Sequence, residues 1–516
     1  MQEMNQGIVN VTYDASFIYA DNTPSRKLDS AEAYNNKGIN HAKNGEYDLA
    51  ITYFNKAIEQ YPGYIGSYCN RGLTYYRKGN QEKAIEDYNT GIKLTLVSET
   101  PDDSRYSTIY NNRGAAYGSR DEHAKAIKDF TRAIELNPRN AGVYNNRGLV
   151  YTNTLDFDRS IKDYNKAIEL NPNYSDAYIN RGVAYYYKGE HDQAIRDYDK
   201  AIELNPDHVL AYHNRGLAYN LNGESDRAIE DFNEVIRQDP GYAEAYYNLG
   251  AIYGNKGEVD LAIRNSSKAI ELNPDHDGAH YNRGGAYLTK GFVDKAIADF
   301  TITIKLKPNN SSAYNYRGVT YFNKGNLNQA IEDFTESIKL NPDYVEAYHF
   351  RGNAYNRKGE YKKAIADYTQ MIILRPKIPI FYYIRGEAYL RAKQWEEAKR
   401  DLTAAILQDV DIREAFQNTH ESIAAFEKKI DAKLPEEIVR LLSSNPESFE
   451  IDKDARVALA MKYYENEVLS SGLAARLAGV SREEFWYLMG DYGLSLFGTA
   501  EDLKEELENA RKASHQ

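Results

Sequence analysis

The chain has 516 residues, of which 76 are acidic and 64 basic, and its net charge is −12. This balance disfavours a general binder of nucleic acid or of anionic membranes, because both require a basic surface. The single cysteine, Cys69, excludes an internal disulfide framework and favours a reducing compartment. Residues 1–30 lack the basic start and unbroken apolar core of a signal peptide or membrane span. We therefore expect these residues to form an N-terminal tail of a soluble, cytoplasmic protein.

A glycine then recurs every 34 residues along most of the chain, with one interval of 42 between Gly72 and Gly114. A fixed period of 34 residues is typical of stacked helix-turn-helix units. If each unit is counted so that this glycine is its eighth residue, eleven repeats cover residues 31–412. The eight extra residues lie near 98–106 and predict a longer surface loop after repeat 2.

The other regular positions of the repeat predict two helices, A and B. Tyrosine occupies positions 4 and 11 in ten repeats each, and position 24 of helix B is aromatic in nine. Together with the alanine at position 20, these rings predict a close antiparallel crossing of the two helices. Glycine at position 15 predicts a left-handed end to helix A, and proline at position 32 ends helix B.

The pattern Tyr-x-x-x-Gly-x-x-Tyr-x-x-x-Gly, followed by Ala, by Phe or Tyr, and by Asn-Pro, resembles the tetratricopeptide repeat family over about three-quarters of the chain. The resemblance implies an all-α fold: a right-handed α-solenoid superhelix of eleven helix hairpins, followed by a small helical domain. It also implies a non-enzymatic scaffold that binds an extended peptide segment of a protein partner in a concave groove built from helix A.

Position 7 departs from the family pattern, because it is arginine in nine repeats where leucine is common. Position 23 is aspartate in the same nine repeats. The exceptions also coincide, since Lys37 accompanies Tyr53 and Leu249 accompanies Asn265. We therefore predict an Arg–Asp bridge between helices A and B of one repeat. The alternative is a row of arginines that binds anionic ligands.

Position 6 is asparagine in eight consecutive repeats, although asparagine costs up to ~0.7 kcal/mol against alanine within a helix. A side-chain amide can bond a peptide backbone without reading its sequence. Some peptide-binding tetratricopeptide arrays resemble this chain in such a ladder, which implies a peptide-binding row. The alternative is that the amides bond between repeats and hold no ligand. The row consists of Asn36, Asn70, Asn112, Asn146, Asn180, Asn214, Asn248 and Asn282.

The inner face expected from the family positions also carries aromatic rings, among them Tyr186, Tyr247 and Tyr281. Fixed charges are few in the middle of this face and increase late, at Arg357 and Arg391. Such a face suits an extended, weakly charged peptide gripped by rings and backbone hydrogen bonds.

Beyond the repeats, residues 413–432 predict a capping helix, as solenoids require, and a linker. The sequence Leu434-Pro435-Glu436-Glu437-Ile438 predicts a new helix start. Residues 433–511 resemble an uncharacterised family of small prokaryotic proteins regarded as antitoxins, with a helix-turn-helix spacing at Ala475–Ser481, and 512–516 form a tail. The resemblance implies a PIN-domain-type toxin as a further candidate partner.

The alternative function is therefore a toxin-neutralising or DNA-binding regulator that acts through this C-terminal domain. The helix after the predicted turn starts Arg482-Glu483-Glu484, which is poor material for contacting phosphates. Nucleic acid is thus disfavoured as a partner. The sequence contains no phosphate-binding loop, nucleophile elbow or paired cysteines, and a metal site at His276 and His280 is disfavoured because His280 replaces the tyrosine of position 4. We expect no cofactor and no enzymatic activity.

Overall fold

The computed structural model describes residues 26–96, 106–406, 408 and 410–443. These residues form helices connected by short turns, and they contain no strand. None of their helices is long and apolar enough to cross a membrane. The chain divides into two compact units between Gly257 and Glu258. The N-terminal tail up to residue 25, most of the predicted loop (97–105) and the predicted helix-turn-helix lie outside the described residues.

The first unit contains the helices of repeats 1 to 6 and helix A of repeat 7. In chain order they are α1 (Arg26–Lys43), α2 (Tyr47–Gln60), α3 (Ile65–Arg77), α4 (Gln81–Leu96), α5 (Ser107–Gly118), α6 (His123–Leu136), α7 (Ala141–Asn153), α8 (Phe157–Leu170), α9 (Ser175–Tyr187), α10 (His191–Leu204), α11 (Val209–Leu221), α12 (Ser225–Gln238) and α13 (Ala243–Asn255).

The second unit contains helix B of repeat 7, the helices of repeats 8 to 11 and three further helices. In chain order they are α14 (Val259–Leu272), α15 (Asp277–Thr289), α16 (Val293–Leu306), α17 (Ser311–Lys324), α18 (Leu327–Leu340), α19 (Val345–Arg357), α20 (Tyr361–Leu374), α21 (Pro379–Arg391), α22 (Trp395–Ile406), α23 (Ile412–Thr419), α24 (Ile423–Ile430) and α25 (Glu436–Ser443).

Within each unit, every helix of the repeats packs against the next one along the chain, and in most repeats helix A also contacts helix A of the following repeat. This order of contacts is that of a helical solenoid, in which each repeat buries its apolar side on its neighbours. The prediction of an all-α solenoid is therefore confirmed.

The aromatic ring of position 24 packs against the glycine of position 8, which explains why that glycine recurs. A Cβ atom placed on Gly284 would lie 2.9 Å from the ring of Phe300, and Gly148 meets Tyr164 at 2.8 Å in the same way. The alanines of position 20, such as Ala296, are fully buried. They lie one helical turn before the position-24 ring on helix B, and they share apolar clusters with the position-11 tyrosines of helix A, as Ala330 does with Tyr321.

The turn from helix A to helix B uses a left-handed residue at position 15, as the glycines there predict. The φ angles of Gly189 and Gly223 are 82° and 80°. Three repeats lack this glycine, and Asp121, Leu155 and Lys393 adopt the same conformation with φ of 58° to 62°. The repeat therefore imposes the turn even where the residue does not favour it.

The segment after repeat 11 differs from the single capping helix predicted for residues 413–432. It forms two short helices, α23 and α24, and the side chain of Ser422 accepts the backbone N–H of Ala425 to cap the second. The helix predicted to start at Leu434–Ile438 is present as α25. Buried side chains of α23, α24 and α25 join one apolar core with those of repeat 11, including Leu402, Phe416, Phe426 and Ile438.

Two adjacent glycines of α15 allow a matched test of the ring-on-glycine contact. Gly284→Ala should lower the free energy of unfolding by about 1–3 kcal/mol, because the new methyl group overlaps the Phe300 ring. Gly285→Ala should raise it by roughly 0.5–1 kcal/mol, because a Cβ there meets nothing within 4 Å and alanine favours the helix. Urea unfolding followed by circular dichroism measures both, and equal effects of the two changes would contradict this packing.

Candidate functional site

The eight asparagines predicted to bind a peptide lie on helix A of repeats 1 to 8, and their exposure differs strongly. Asn36 is exposed, whereas Asn248 and Asn282 are half-buried. The other five are buried, with 0% to 6% of their surface exposed: Asn70, Asn112, Asn146, Asn180 and Asn214. A ligand outside the array therefore has little access to the middle of the row.

Three of the buried amides bond to the preceding repeat. Asn146 Nδ2 donates to Asn111 Oδ1 at 2.9 Å, and Asn180 Nδ2 donates to Asn145 Oδ1 at 3.1 Å. In the same manner, Asn70 Nδ2 donates to Asn35 Oδ1 at 3.1 Å. These bonds connect position 6 of one repeat to position 5 of the repeat before it.

The residue at position 5 decides which amides bond in this way. In the three cases above, position 5 of the preceding repeat is asparagine. In repeat 2, which precedes repeat 3, position 5 is Cys69 instead. There, Asn112 accepts Asn111 Nδ2 of its own helix at 3.1 Å. Sequence reasoning missed the three position-5 asparagines, although the doublets Asn35-Asn36, Asn111-Asn112 and Asn145-Asn146 mark them. The geometry favours an inter-repeat role for this part of the row, and its contact with a peptide stays a prediction.

The three tyrosines predicted for the inner face are half-buried and belong to aromatic clusters or polar contacts. Tyr186 meets Tyr187 and His191 edge-on, each with a centroid distance of 5.3 Å. Tyr281 lies edge-on to Phe300 and Tyr316 at 5.9 and 5.7 Å. Their rings are thus held in place, and part of each remains accessible to a ligand.

The arginine row is paired as predicted. In each of the nine repeats, Nε and Nη2 of the position-7 arginine donate to the two carboxylate oxygens of the position-23 aspartate, at 2.6–2.9 Å. The pairs are Arg71–Asp87, Arg113–Asp129, Arg147–Asp163, Arg181–Asp197, Arg215–Asp231, Arg283–Asp299, Arg317–Asp333, Arg351–Asp367 and Arg385–Asp401. These guanidinium groups are therefore occupied, which favours the structural interpretation over anion binding.

Each of these arginines also reaches the preceding repeat, a contact that sequence reasoning missed. Arg181 Nη1 donates to Asn165 Oδ1 at 2.6 Å, and Arg351 Nη1 donates to Thr335 Oγ1 at 3.1 Å. Asn165 and Thr335 occupy position 25 of helix B, which is Asn, Thr, Asp or Ser in every repeat. One guanidinium thus connects helices A and B of its own repeat to helix B of the previous one.

The carboxylates of these pairs are buried, and the guanidinium groups are half-buried beside tyrosine rings. The guanidinium carbon of Arg113 lies 5.7 Å from the ring centres of both Tyr110 and Tyr117. Burial raises the pKa of Asp197 although the hydrogen bonds from Arg181 oppose this shift. The desolvation of the carboxylate therefore offsets much of the attraction, as expected for buried ion pairs.

Residues 26–96, 106–406 and 410–443 contain no group of three or more His, Cys, Asp or Glu side chains suited to a metal ion. His280 takes the place of the position-4 tyrosine, as the sequence predicts. Its Nδ1 lies 2.9 Å from Asp299 Oδ1, and its Nε2 lies 3.1 Å from the Pro274 carbonyl oxygen. Tyr382 makes the equivalent bond to the carbonyl of Pro376.

Comparison with known families gives matches over most of the chain. Models of the tetratricopeptide repeat match residues 107–140, 141–174, 175–208, 243–276 and 311–344, and further models of the same repeat match 29–96, 197–230, 221–257 and 352–392. A model described as an uncharacterised protein family (UPF0175) matches residues 427–512.

Individual relatives resemble different parts of the chain. A UPF0175 protein from Aeropyrum pernix is 40% identical over 63 residues, which are 12% of this chain and 71% of that protein. Among solved structures, YrrB, described as a TPR protein with an unusual peptide-binding site, is 28% identical and covers 36% of this chain and 96% of its own, with a TM-score of 0.32. A chain of the APC/C hetero-tetramer Cut9-Hcn1 is 15% identical, with coverages of 90% and 96% and a TM-score of 0.37.

The Arg–Asp pairs predict a non-additive response to mutation. Asp197→Ala should lower the free energy of unfolding by up to about 3–5 kcal/mol, because it leaves the half-buried charge of Arg181 without its carboxylate. The double change with Arg181→Leu should cost less than Asp197→Ala alone, since position 7 is naturally leucine in repeat 7 at Leu249. Chemical unfolding of the single and double variants measures this coupling, and a double variant less stable than Asp197→Ala would contradict it.

The amide bonds predict opposite roles for two asparagines at the same repeat position. Asn146→Ala should lower the free energy of unfolding by about 1–3 kcal/mol, because it removes a fully buried donor from Asn111. Asn36→Ala is the matched control, since this exposed residue should change stability by less than about 0.5 kcal/mol. Thermal and urea unfolding compare the two. An Asn146→Ala variant as stable as the wild type would show that the inter-repeat bond contributes nothing.

Proposed function

The chain belongs to the tetratricopeptide repeat family, and its residues 427–512 belong to the uncharacterised protein family UPF0175, and we propose that it is a non-enzymatic scaffold that binds an extended peptide segment of a protein partner on helix A of its repeats. The observation that carries this proposal is the distribution of side chains over the repeat. Inside the array, the arginines of position 7 pair with the aspartates of position 23. The glycines of position 8 pack against the rings of position 24. Helix A retains rings and amides that a ligand can reach.

The charge of this surface favours a weakly charged segment. The nine position-7 arginines each donate to an aspartate, so they offer no free cation row to an acidic ligand. The remaining candidates are amides, which offer both donors and acceptors, and tyrosine rings, which bury large apolar areas at low entropic cost. This combination supports recognition of peptide backbone and apolar side chains.

Six residues of the predicted site retain exposure and are assigned direct contact with the peptide: Asn36, Asn248, Asn282, Tyr186, Tyr247 and Tyr281. The five buried asparagines are assigned to the wall that supports them. Three of these five, exemplified by Asn146, already donate to the neighbouring repeat. The proposed contacts are therefore fewer than the eight amides of the row, and the rings supply more of the affinity.

The test starts with capture of partners by the tagged full chain and maps the bound segment of each partner with overlapping peptides. Binding isotherms for the mapped peptide should show that Tyr247→Ala and Tyr281→Ala each weaken binding by about tenfold, as for aromatic anchors. Asn36→Ala should weaken it by a few-fold at most.

Two controls complete this test. Phe292→Ala removes an exposed ring that follows helix A of repeat 8 and should leave the affinity unchanged. Circular dichroism confirms that each variant is folded. The proposed surface is wrong if both folded tyrosine variants bind the peptide with unchanged affinity. It is also wrong if binding requires only residues 433–516.

A second candidate function rests on the C-terminal segment, which shares 40% identity with the archaeal UPF0175 protein. Residues 433–516 carry 10 basic and 16 acidic residues, a net charge of −6. This balance favours masking of a protein, such as a PIN-domain-type toxin, over contact with a phosphate backbone. Growth rescue of cells that express such a toxin tests this role. A salt-dependent shift of duplex DNA by the full chain would instead support a DNA-binding regulator.

A further inference from the structure

A cavity of about 560 Å³ lies within the second unit, where the repeats end. Its walls come from helix A of repeats 9 to 11, from Tyr361 and Tyr368 of α20, and from Thr419 and Lys429 next to the last repeat. The volume is within the usual range of ligand sites. The cavity is lined by aromatic side chains and by cations. These cations are not among the nine position-7 arginines that pair with aspartate.

The charges of this cavity do not balance. Glu387 is its one carboxylate, and Arg391 Nη2 binds it at 2.6 Å while His420 Nε2 lies 3.1 Å away. Two further cations, Arg357 and Lys429, line the cavity and are exposed. Among the residues that the structure describes, no carboxylate forms an ion pair with either of them. The cavity therefore carries an excess of positive charge.

Arg357 is held in a position that suits a carboxylate ligand. Its guanidinium carbon lies 3.9 Å from the centre of the Phe322 ring. Stacking on the ring fixes the plane of the guanidinium group and leaves the N–H groups along its edge available for two parallel bonds to a carboxylate. Lys429 adds a point charge from α24, outside the repeats.

The rest of the wall consists of aromatic, apolar or uncharged polar side chains. Tyr383 and Ile384 of repeat 11 line the cavity beside Tyr361. Asn353 accepts the hydroxyl of Tyr368 at 2.7 Å, and its Nδ2 lies 3.1 Å from His349 Nε2. Burial lowers the pKa of His349, so this ring adds no charge near pH 7. The surface thus offers rings to an apolar side chain and two unmatched cations to an acidic one.

We call this cavity, with the walls named above and with Arg357 and Lys429, the terminal pocket. We propose that the terminal pocket binds an acidic segment of the partner protein, in which an apolar side chain lies beside carboxylates. The inference rests on the proposed function, because it assigns part of the partner's recognition to a defined place. It also gives specificity to a surface that elsewhere reads peptide backbone.

The first experiment uses a fluorescein-labelled peptide with one phenylalanine between two pairs of glutamates, and a counterpart with glutamines. The full chain should bind the glutamate peptide at least about tenfold more tightly than the glutamine peptide. The double variant R357Q/K429Q should abolish this difference. Lys362→Gln removes an exposed cation of the same repeat outside the cavity and should leave it unchanged. Equal binding of the two peptides, or a double variant that behaves as wild type, overturns the proposal.

A second variant tests the sign of the charge effect. Glu387→Gln should tighten binding of the glutamate peptide a few-fold, because it releases Arg391 from its carboxylate. Weaker binding by this variant, with an unchanged melting temperature, overturns the proposed orientation of charges. Replacing the phenylalanine of the peptide by glycine should weaken binding about tenfold, and an unchanged affinity overturns the apolar half of the proposal.

The two proposals fail in different ways. If the captured partner binds R357Q/K429Q as tightly as the wild-type chain but loses affinity for Tyr247→Ala, the terminal pocket is excluded and the scaffold function stands. If the tyrosine variants bind normally and only R357Q/K429Q is weakened, the partner uses the terminal pocket without the helix A surface. In that outcome the broader proposal fails and the pocket is retained.

Discussion

The bidentate Arg–Asp pair is the interaction that nine of the eleven repeats share and on which their packing depends. A buried guanidinium must be matched by acceptors, and the fixed geometry of its N–H groups leaves few arrangements that satisfy it. Arg181 uses two groups on Asp197 and a third on Asn165 of the preceding repeat. The same side chain therefore fixes the hairpin and its position on its neighbour. This double function explains the small polar residue at position 25 in the nine repeats that precede such an arginine.

The exceptions to the pair follow the same electrostatic constraint. Leu249 is buried and carries no charge that needs a partner. Asn265 donates its amide to the Leu261 carbonyl of its own helix. In the first repeat, Lys37 is exposed and lies near the rings of Tyr34 and Tyr53, where water screens its charge. Position 7 thus holds a cation without an aspartate partner where it is exposed, as in repeat 1. Where position 7 is buried and has no aspartate partner, as in repeat 7, it holds leucine.

Much of the fold could be predicted because its determinants repeat within a short distance along the chain. The helix positions, the left-handed turns and the Arg–Asp pairs each follow from residues of a single repeat, as Arg181 and Asp197 illustrate. The site could be predicted only in part, since exposure depends on residues from adjacent repeats. Nothing within repeat 4 indicates that Asn146 is buried, because its partner Asn111 lies 35 residues earlier. The terminal pocket could not be predicted either, because Arg357 and Lys429 come from separate helices and their spacing does not follow the repeat period.

The end of the array carries an arrangement of charge that the repeat pattern does not contain. Inside the array, the arginine of position 7 is matched by an aspartate of its own repeat. After repeat 11, α23 and α24 take the place of a following repeat. The helix is interrupted between them at His420, whose ring packs on Phe416 and contacts Glu387. The break thus brings Lys429 towards the cavity, where no aspartate follows from the repeat pattern, and an unmatched cation results. The charge specificity proposed for the terminal pocket therefore depends in part on a residue outside the repeats.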